Sequence, residues 1–241
     1  MGFGFKIIIE GDYALFTRPE MKVERVSYDV PTVSAMEGLI KSVYWKPAIR
    51  VVIDKIIVFN PIRFINIRRN EVKSKIPLAG VQAQMQGRPD KSPVLYAGED
   101  RSQRASMLLR DVRYGVEFHF ELTGEKSDHT DERAEKHYNI MLRRLQKGQF
   151  FRKPCLGCRE FAVSKLELVE EFDHSQIAPE LKGDIDLGFM LYGMRFADGG
   201  KPINGDWEHP QFSDQADAVY YRPHMIDGVI DVQRYREAMK C

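Results

Sequence analysis

Lysine and histidine stand side by side at Lys136-His137, in a segment whose apolar residues recur at helical spacing. Ala134, Tyr138, Met141 and Leu145 form the stripe expected to be buried, which leaves Arg133, Lys136, His137, Ile140, Arg143, Arg144 and Lys147 on the remaining surface. That assortment holds the parts for cutting an RNA phosphodiester without a metal. A base must take the proton of the 2′-hydroxyl, an acid must protonate the departing 5′-oxygen, and a cation must stabilise the charge on the phosphorane. Histidine titrates near neutrality and serves as acid or base, and lysine supplies fixed charge. The plainer reading of His137 is an exposed helix histidine with no task, and spacing alone does not separate the two.

A second cluster runs from Phe16 to Arg50. Arg18, Lys22 and Arg25 lie on a loop, a short helix follows, and Tyr44-Trp45-Lys46-Pro47 comes after it. Cations alternating with aromatic rings suit phosphates and unstacked bases. Arg68, Arg69 and Lys73, in Ile-Arg-Arg-Asn-Glu-Val-Lys-Ser-Lys, are further candidates for phosphate contacts. The chain as a whole is nearly neutral, with 36 Lys and Arg against 35 Asp and Glu, yet its charge is segregated. Residues 63–75 hold five cations against Glu71, and residues 133–153 hold seven against Glu135, whereas residues 160–198 hold nine acids against three bases. Charge runs are often solvated helix faces, but two basic clusters and one acidic segment together suggest a polyanion on one side and a protein neighbour on the other.

Other chemistries find less support. Cys155-Leu-Gly-Cys158 is a lone CxxC with no second pair at suitable spacing, so it reads as a packed turn rather than a zinc or redox site. His119 sits in an alternating strand, where a histidine is usually structural, and His129, His174, His209 and His224 are scattered. Phosphate-loop, dinucleotide and nucleophile-elbow motifs are missing from the sequence, and the carboxylates are too dispersed for a metal-dependent nuclease. No metal and no cofactor are expected. Neither an apolar run of membrane-spanning length nor a signal or myristoylation pattern occurs, and three cysteines suit a reducing compartment, so a cytoplasmic protein with no membrane partner is expected.

The elements that must carry these residues can be read from pattern. Phe5–Glu10 reads as a strand ending at a Gly11-Asp12 break. Ser34-Ala-Met-Glu37 has capping-box spacing, and Met36, Leu39, Ile40 and Val43 make the stripe of a helix that must stop before Pro47. Residues 48–59 read as a strand, and residues 60–110 as a long, polar, turn-rich insertion. Residues 112–122 alternate, with Val116, Phe118 and Phe120 on one face and Glu117, His119 and Glu121 on the other. Thr130 or Asp131 can cap the second helix, which runs to Gly148, and residues 161–169 alternate again. The order is βαββαβ, an α+β, ferredoxin-like pattern shared with RNA-recognition modules. It is expected to fill residues 1–170. A small antiparallel β-sheet domain is expected over 171–241, with strands at 186–196 and 218–232, a hairpin about Ile226-Asp227-Gly228, and a final helix near Val232–Met239.

Long runs of this chain resemble the fifth Cas family in its Dvulg subtype, the RAMP-superfamily proteins that cut CRISPR repeat RNA in subtype I-C systems. They include Phe-Thr-Arg-Pro-Glu-Met-Lys-Val-Glu-Arg-Val-Ser-Tyr-Asp-Val, Tyr-Trp-Lys-Pro-Ala-Ile-Arg, Arg-Arg-Asn-Glu-Val, Cys-Leu-Gly-Cys-Arg-Glu-Phe and Asp-Leu-Gly-Phe-Met-Leu. The resemblance covers nearly the whole chain and implies an RRM-like RAMP fold. It assigns activity to a tyrosine and an adjacent Lys-His pair, which fall on Tyr44, Lys136 and His137. It implies metal-free cleavage of precursor CRISPR RNA at the repeat hairpin, leaving a 5′-hydroxyl and a 2′,3′-cyclic phosphate. The protein would then stay on the 5′ handle beside the other subunits of type I-C Cascade, with Lys46 and Arg144 joining the RNA-binding set. In most other subtypes the fifth Cas protein is a noncatalytic handle-binding subunit, which is the alternative here.

Overall fold

Alternation dictates the centre of the fold. In the computed structural model, which describes residues 4–21, 23–88, 94–124, 133–206 and 208–239, Val116, Phe118 and Phe120 enter the core while Glu117, His119 and Glu121 stay half-buried or exposed. They belong to β5 (Arg101–Leu122), the strand on which the main sheet is assembled. Its second half pairs antiparallel with β1 (Gly4–Ala14) on one side and β3 (Ile49–Val58) on the other. Its first half pairs with β4 (Phe64–Val72) and, in parallel, with the two-residue β2 (Arg25–Val26). Strand β6 (Lys165–Val169) adds to the free side of β1. The result is a mixed α/β fold on one large, mainly antiparallel sheet.

Two helices cover that sheet. Helix α1 (Val33–Val43) buries Val33, Met36, Leu39, Ile40 and Val43, each at about 1.5–3 kcal/mol of burial free energy. Its cap lies two residues before the expected Ser34: the Thr32 hydroxyl accepts the Ala35 N–H at 3.2 Å. Glu37 pairs instead with Lys41 one turn on. The helix stops at Val43, as Pro47 requires, and Tyr44 already has extended dihedrals. A short α2 (Leu78–Met85) buries no side chain. Helix α3 (Ala134–Lys147) ends on Gly148 in left-handed conformation, at the expected residue. The expected caps Thr130 and Asp131 lie outside the described residues. Phe5 stacks on Phe118 of β5 and on Tyr138 of α3, at 5.4 and 4.9 Å between ring centres, which binds both strands to the helix.

Three expectations need correction. The Gly11-Asp12 break does not exist: β1 continues to Ala14, pairing with Leu109, and Gly11 is placed where a Cβ would meet Leu156 Cδ1 at 2.3 Å. Residues 60–110 are not mainly turns. They form a two-stranded ribbon of β4 and the first half of β5, and β4 alternates only between exposed and half-buried and so leaves little apolar signal. The strand expected over 161–169 begins only at Lys165, because Phe161 is held in the turn before it, its carbonyl accepting from Leu156 and its N–H donating to the Cys158 carbonyl.

After residue 170 the chain supplies β7 (Asp184–Asp186), β8 (Met190–Phe196), β9 (Ala216–Tyr221), β10 (His224–Ile226), β11 (Val229–Asp231) and α4 (Gln233–Met239). The hairpin about Asp227-Gly228 joins β10 to β11, as the sequence suggests. Strand β11 pairs with β3, so β11, β10 and β7 lengthen the main sheet, and only β8 and β9 pair apart from it.

Helix α4 is fixed by an acid buried in β3. Asp54 sits where the β3–β5 register shifts between Ile53 and Lys55, and it accepts from Arg236 at 2.7 Å, Gln233 at 3.0 Å and His119 at 2.7 Å. Burial alone would raise its pKa, but these partners outweigh burial and hold it below the ordinary aspartate value. His119 thus has the structural part its strand position suggests. A folded-state pKa below the unfolded one stabilises the fold fully above about pH 4 and loses that contribution as the pH falls through the folded value. Asp54→Asn is therefore expected to cost about 1.5–3 kcal/mol at pH 7, with the gap to wild type narrowing at pH 3. Urea unfolding at both pH values checks this, and a gap that ignores pH would contradict it.

Candidate active site

Tyr44 follows directly on α1, and its extended backbone sends the ring across to α3. The phenol oxygen lies 2.9 Å from His137 Nδ1, and Phe120 of β5 stands edge-on to the imidazole at 6.4 Å between centres. His137 is 1% exposed and Tyr44 4%. The surface position expected for His137 is thus corrected. Helix α3 is turned so that His137, Met141 and Leu145 form its buried stripe, with Ala134 and Tyr138 half-buried beside it. The spacing of 137, 141 and 145 is a helical period, which treating histidine as a surface residue concealed.

Arg144, two turns further along α3, closes the other side of Tyr44. Its Nη1 donates to the Val43 carbonyl at 2.5 Å, and its guanidinium carbon lies 5.2 Å from the centre of the Tyr44 ring, a cation–π distance. The phenol is held between an imidazole and a guanidinium. Either partner of the phenol–imidazole bond can carry the proton, the pattern that proton transfer uses.

Tyr44 borders a cleft of about 560 Å³, together with Lys41, Trp45, Lys46, Arg144, Phe151 and Arg152. Among the described residues no carboxylate lines it. Lys46 and Arg144, two expected RNA contacts, therefore share this cleft with Tyr44, whose phenol is bonded to His137. Lys136 is half-buried on the first turn of α3, beside His137 but not on the cleft wall. Phe151 and Arg152 were missed from sequence, although Phe150-Phe151-Arg152-Lys153 repeats the ring-and-cation alternation of residues 44–46.

The other expected RNA contacts lie elsewhere. Arg18 is paired with Asp29 at 3.1 Å and stacked on Tyr28. Arg25 reaches Glu71 at 3.6 Å and Cys158 Sγ at 4.0 Å. Arg69 is bound by Glu71, Glu160 and the Ser106 hydroxyl. These three tie loop and ribbon to neighbouring carboxylates. Arg68 and Lys73 are exposed at the ribbon, and Lys22 lies outside the described residues. Cys155 and Cys158 are free, half-buried thiols. Burial raises the Cys158 pKa, opposed by the Arg25 guanidinium. Among the described residues no three His, Cys, Asp or Glu side chains converge as ligands for a metal, and no described helix is long and apolar enough to cross a membrane.

Comparison with known proteins gives a consistent picture. The profile of the family described as CRISPR-associated protein (Cas_Cas5), in its Cas5d form, matches residues 5–233. A protein of Mannheimia succiniciproducens named CRISPR pre-crRNA endoribonuclease Cas5d is 41% identical over 239 residues, 98% of this chain and 97% of that one. One of the same name from Thermus thermophilus is 35% identical over 198 residues, 82% of this chain and 76% of that one. Among solved structures, one described as a CRISPR-associated protein superposes with a TM-score of 0.60 at 25% identity, covering 95% of this chain and 90% of the other. A functionally uncharacterised protein from Streptococcus mutans does so with a TM-score of 0.60 at 26% identity, covering 94% and 90%.

Proposed function

The chain belongs to the Cas5d family of CRISPR-associated proteins, and on that premise we propose that it is the endoribonuclease that cleaves precursor CRISPR RNA. The observation that carries the mechanism is the 2.9 Å bond between Tyr44 Oη and His137 Nδ1 beside a cation-lined cleft. With a scissile nucleotide in the cleft, the 2′-hydroxyl gives its proton to the Tyr44 oxygen as Tyr44 passes its own to His137. The 2′-oxygen attacks the adjacent phosphorus, the bond to the 5′-oxygen breaks, and that oxygen takes up a proton from water, to which His137 then returns its own. The products are a 2′,3′-cyclic phosphate and a 5′-hydroxyl. Arg144, on the cleft wall, supplies positive charge at the phosphorane, and Lys136 adds to that field from the first turn of α3, beside His137.

The order β6-β1-β5-β3, with α1 between β1 and β3 and α3 between β5 and β6, supports a ferredoxin-like, RRM-like reading of the RAMP kind. In this reading residues 1–170 handle the RNA. Residues 171–241 face a protein neighbour, supported by the exposed acids Glu171, Asp173, Glu180 and Asp184. The substrate is the repeat hairpin, the retained product its 5′ handle, the neighbours the other subunits of type I-C Cascade, and the compartment the cytoplasm. Lys46, Arg68, Lys73 and Arg144 serve the RNA directly. Arg18 and Arg25 serve it through the loop they shape, Lys22 through its charge, and Arg69 through the ribbon.

The near-complete burial of His137 favours one second reading, a handle-binding subunit in which the pair only stiffens Tyr44. Incubation with labelled repeat RNA in excess EDTA separates the two. Cleavage is expected to persist in EDTA and to leave a cyclic phosphate, and a single 2′-deoxy nucleotide before the scissile phosphate should stop it. Tight binding without cleavage would establish the second reading.

A further inference from the structure

We propose that the cleft beside Tyr44 is a pocket for one unstacked nucleobase: a nucleotide adjoining the scissile phosphate leaves the RNA stack and lays its base against Phe151 and Trp45. The proposal rests on reading Tyr44 as the group at that phosphate. Phe151 is 81% exposed and Trp45 48%. Scattered exposed apolar residues are ordinary, but these two come from segments over a hundred positions apart and line one cleft. Nor is Phe151 on a loose loop. After Gly148 the chain turns back to α1, and the backbone N–H groups of Phe151 and Arg152 both donate to the Ser42 carbonyl, at 2.9 and 3.0 Å. The exposed ring therefore stands on backbone pinned to the helix that delivers Tyr44.

The volume and lining identify the occupant. About 560 Å³ falls within the range of roughly 300–1,000 Å³ usual for small-ligand pockets. Rings and cations without a carboxylate suit a flat, electron-rich group attached to a phosphate. Lys46 and Arg152 are exposed at the rim, placed for the phosphates on either side. Among the described residues the lining offers no asparagine, glutamine or carboxylate to read a base edge. Recognition is therefore by stacking and tolerates any base. Trp45 also borders a second cleft, of about 490 Å³, with Arg50, Arg195 and Lys201, so the indole lines two basic clefts instead of completing a core. The pocket also answers a need of the chemistry. Attack by a 2′-hydroxyl requires the 2′-oxygen, phosphorus and 5′-oxygen nearly in line, which helical stacking prevents. Pulling out one base creates that geometry.

The test couples ring to base. Wild type, Phe151→Ala, Trp45→Ala, Phe151→Tyr and Trp45→Phe are each given repeat RNA, intact or with one abasic nucleotide on either side of the mapped scissile phosphate. Single-turnover cleavage is followed, and Kd is measured on 2′-deoxy, uncleavable versions. For wild type, one abasic position is expected to weaken binding and slow cleavage about tenfold to a hundredfold, and base swaps there to change either less than about threefold. The alanine variants should lose a similar factor on intact RNA and nothing more on the abasic one, and the conservative variants should recover most of it. Since both rings are exposed, equal melting temperatures show the variants folded. An abasic penalty of the same size in wild type and alanine variants would overturn the pocket. Cleavage without such coupling in Kd would overturn the pocket alone. Coupling in Kd without cleavage would uphold the pocket and overturn the nuclease reading.

Discussion

Replacing His137 by alanine is expected to slow repeat cleavage about 10²- to 10⁴-fold, the usual worth of a positioned proton-transfer group, and Tyr44→Phe to come close to it. Tyr44→Phe is the sharper of the two. It keeps the ring under Arg144 and in the cleft wall while deleting the oxygen that hydrogen-bonds to His137. If the phenol and imidazole act as one proton path, as proposed, the double variant should be hardly slower than the worse single one. Lys136→Ala removes charge rather than a step in that path, so its effect should multiply with either. Uncleavable RNA should still bind within a few-fold, since the cations of the cleft remain. His137→Ala also empties a buried position and leaves the phenol without its imidazole partner, so about 1–3 kcal/mol of stability should be lost with it. Single-turnover rates below the melting transition separate the two effects. A His137→Ala protein cutting at wild-type rate, or Tyr44→Phe and His137→Ala effects that multiply, would remove the pair from the chemistry.

What could be read from the sequence follows from where apolar residues repeat. Helix α1, the second half of β5 and helix α3 each bury a regular stripe, so period locates them, while richness in Val and Ile marks β3 and Pro47 bounds α1. The β4–β5 ribbon buries little on either side of β4 and gives no such stripe. Gly11-Asp12 misleads for another reason, since glycine serves there to let Leu156 approach, and turn-forming residues carry no mark of which use they have. At the site, Tyr44, His137 and Arg144 were all singled out, but their contact needs the end of α1 laid against α3, which no local pattern encodes. The burial of His137 is the same lesson in one residue. Its spacing with Met141 and Leu145 said buried, its polarity said exposed, and the phenol partner that settles the conflict lies 93 positions away.

The turn at Cys155-Leu-Gly-Cys158 yields the other large effect: Gly157→Ala is expected to destabilise the fold by about 3 kcal/mol or more. Gly157 has φ +89, a conformation that side chains rarely adopt, and a Cβ there would lie 1.9 Å from the Leu15 carbonyl oxygen and 2.7 Å from its carbon. Both obstacles are backbone. Neither can rotate aside, because Leu15 donates to the Leu156 carbonyl at 3.0 Å and Leu156 in turn donates to Phe161 at 2.8 Å. The turn is thus clasped over the end of β1, with the Leu156 side chain fully buried against Gly11. This packing orders the sensitivities of the motif. Cys155→Ser and Cys158→Ser change half-buried thiols and should cost about 1 kcal/mol or less, whereas the glycine between them cannot change at all. A zinc or redox site would show the reverse order, with the cysteines critical. At about 2–4 °C per kcal/mol for a chain of this size, Gly157→Ala should melt at least about 6 °C below wild type and the serine variants within a few degrees of it. If instead Cys158→Ser melts below Gly157→Ala, the thiols hold the turn together and the packing argument fails.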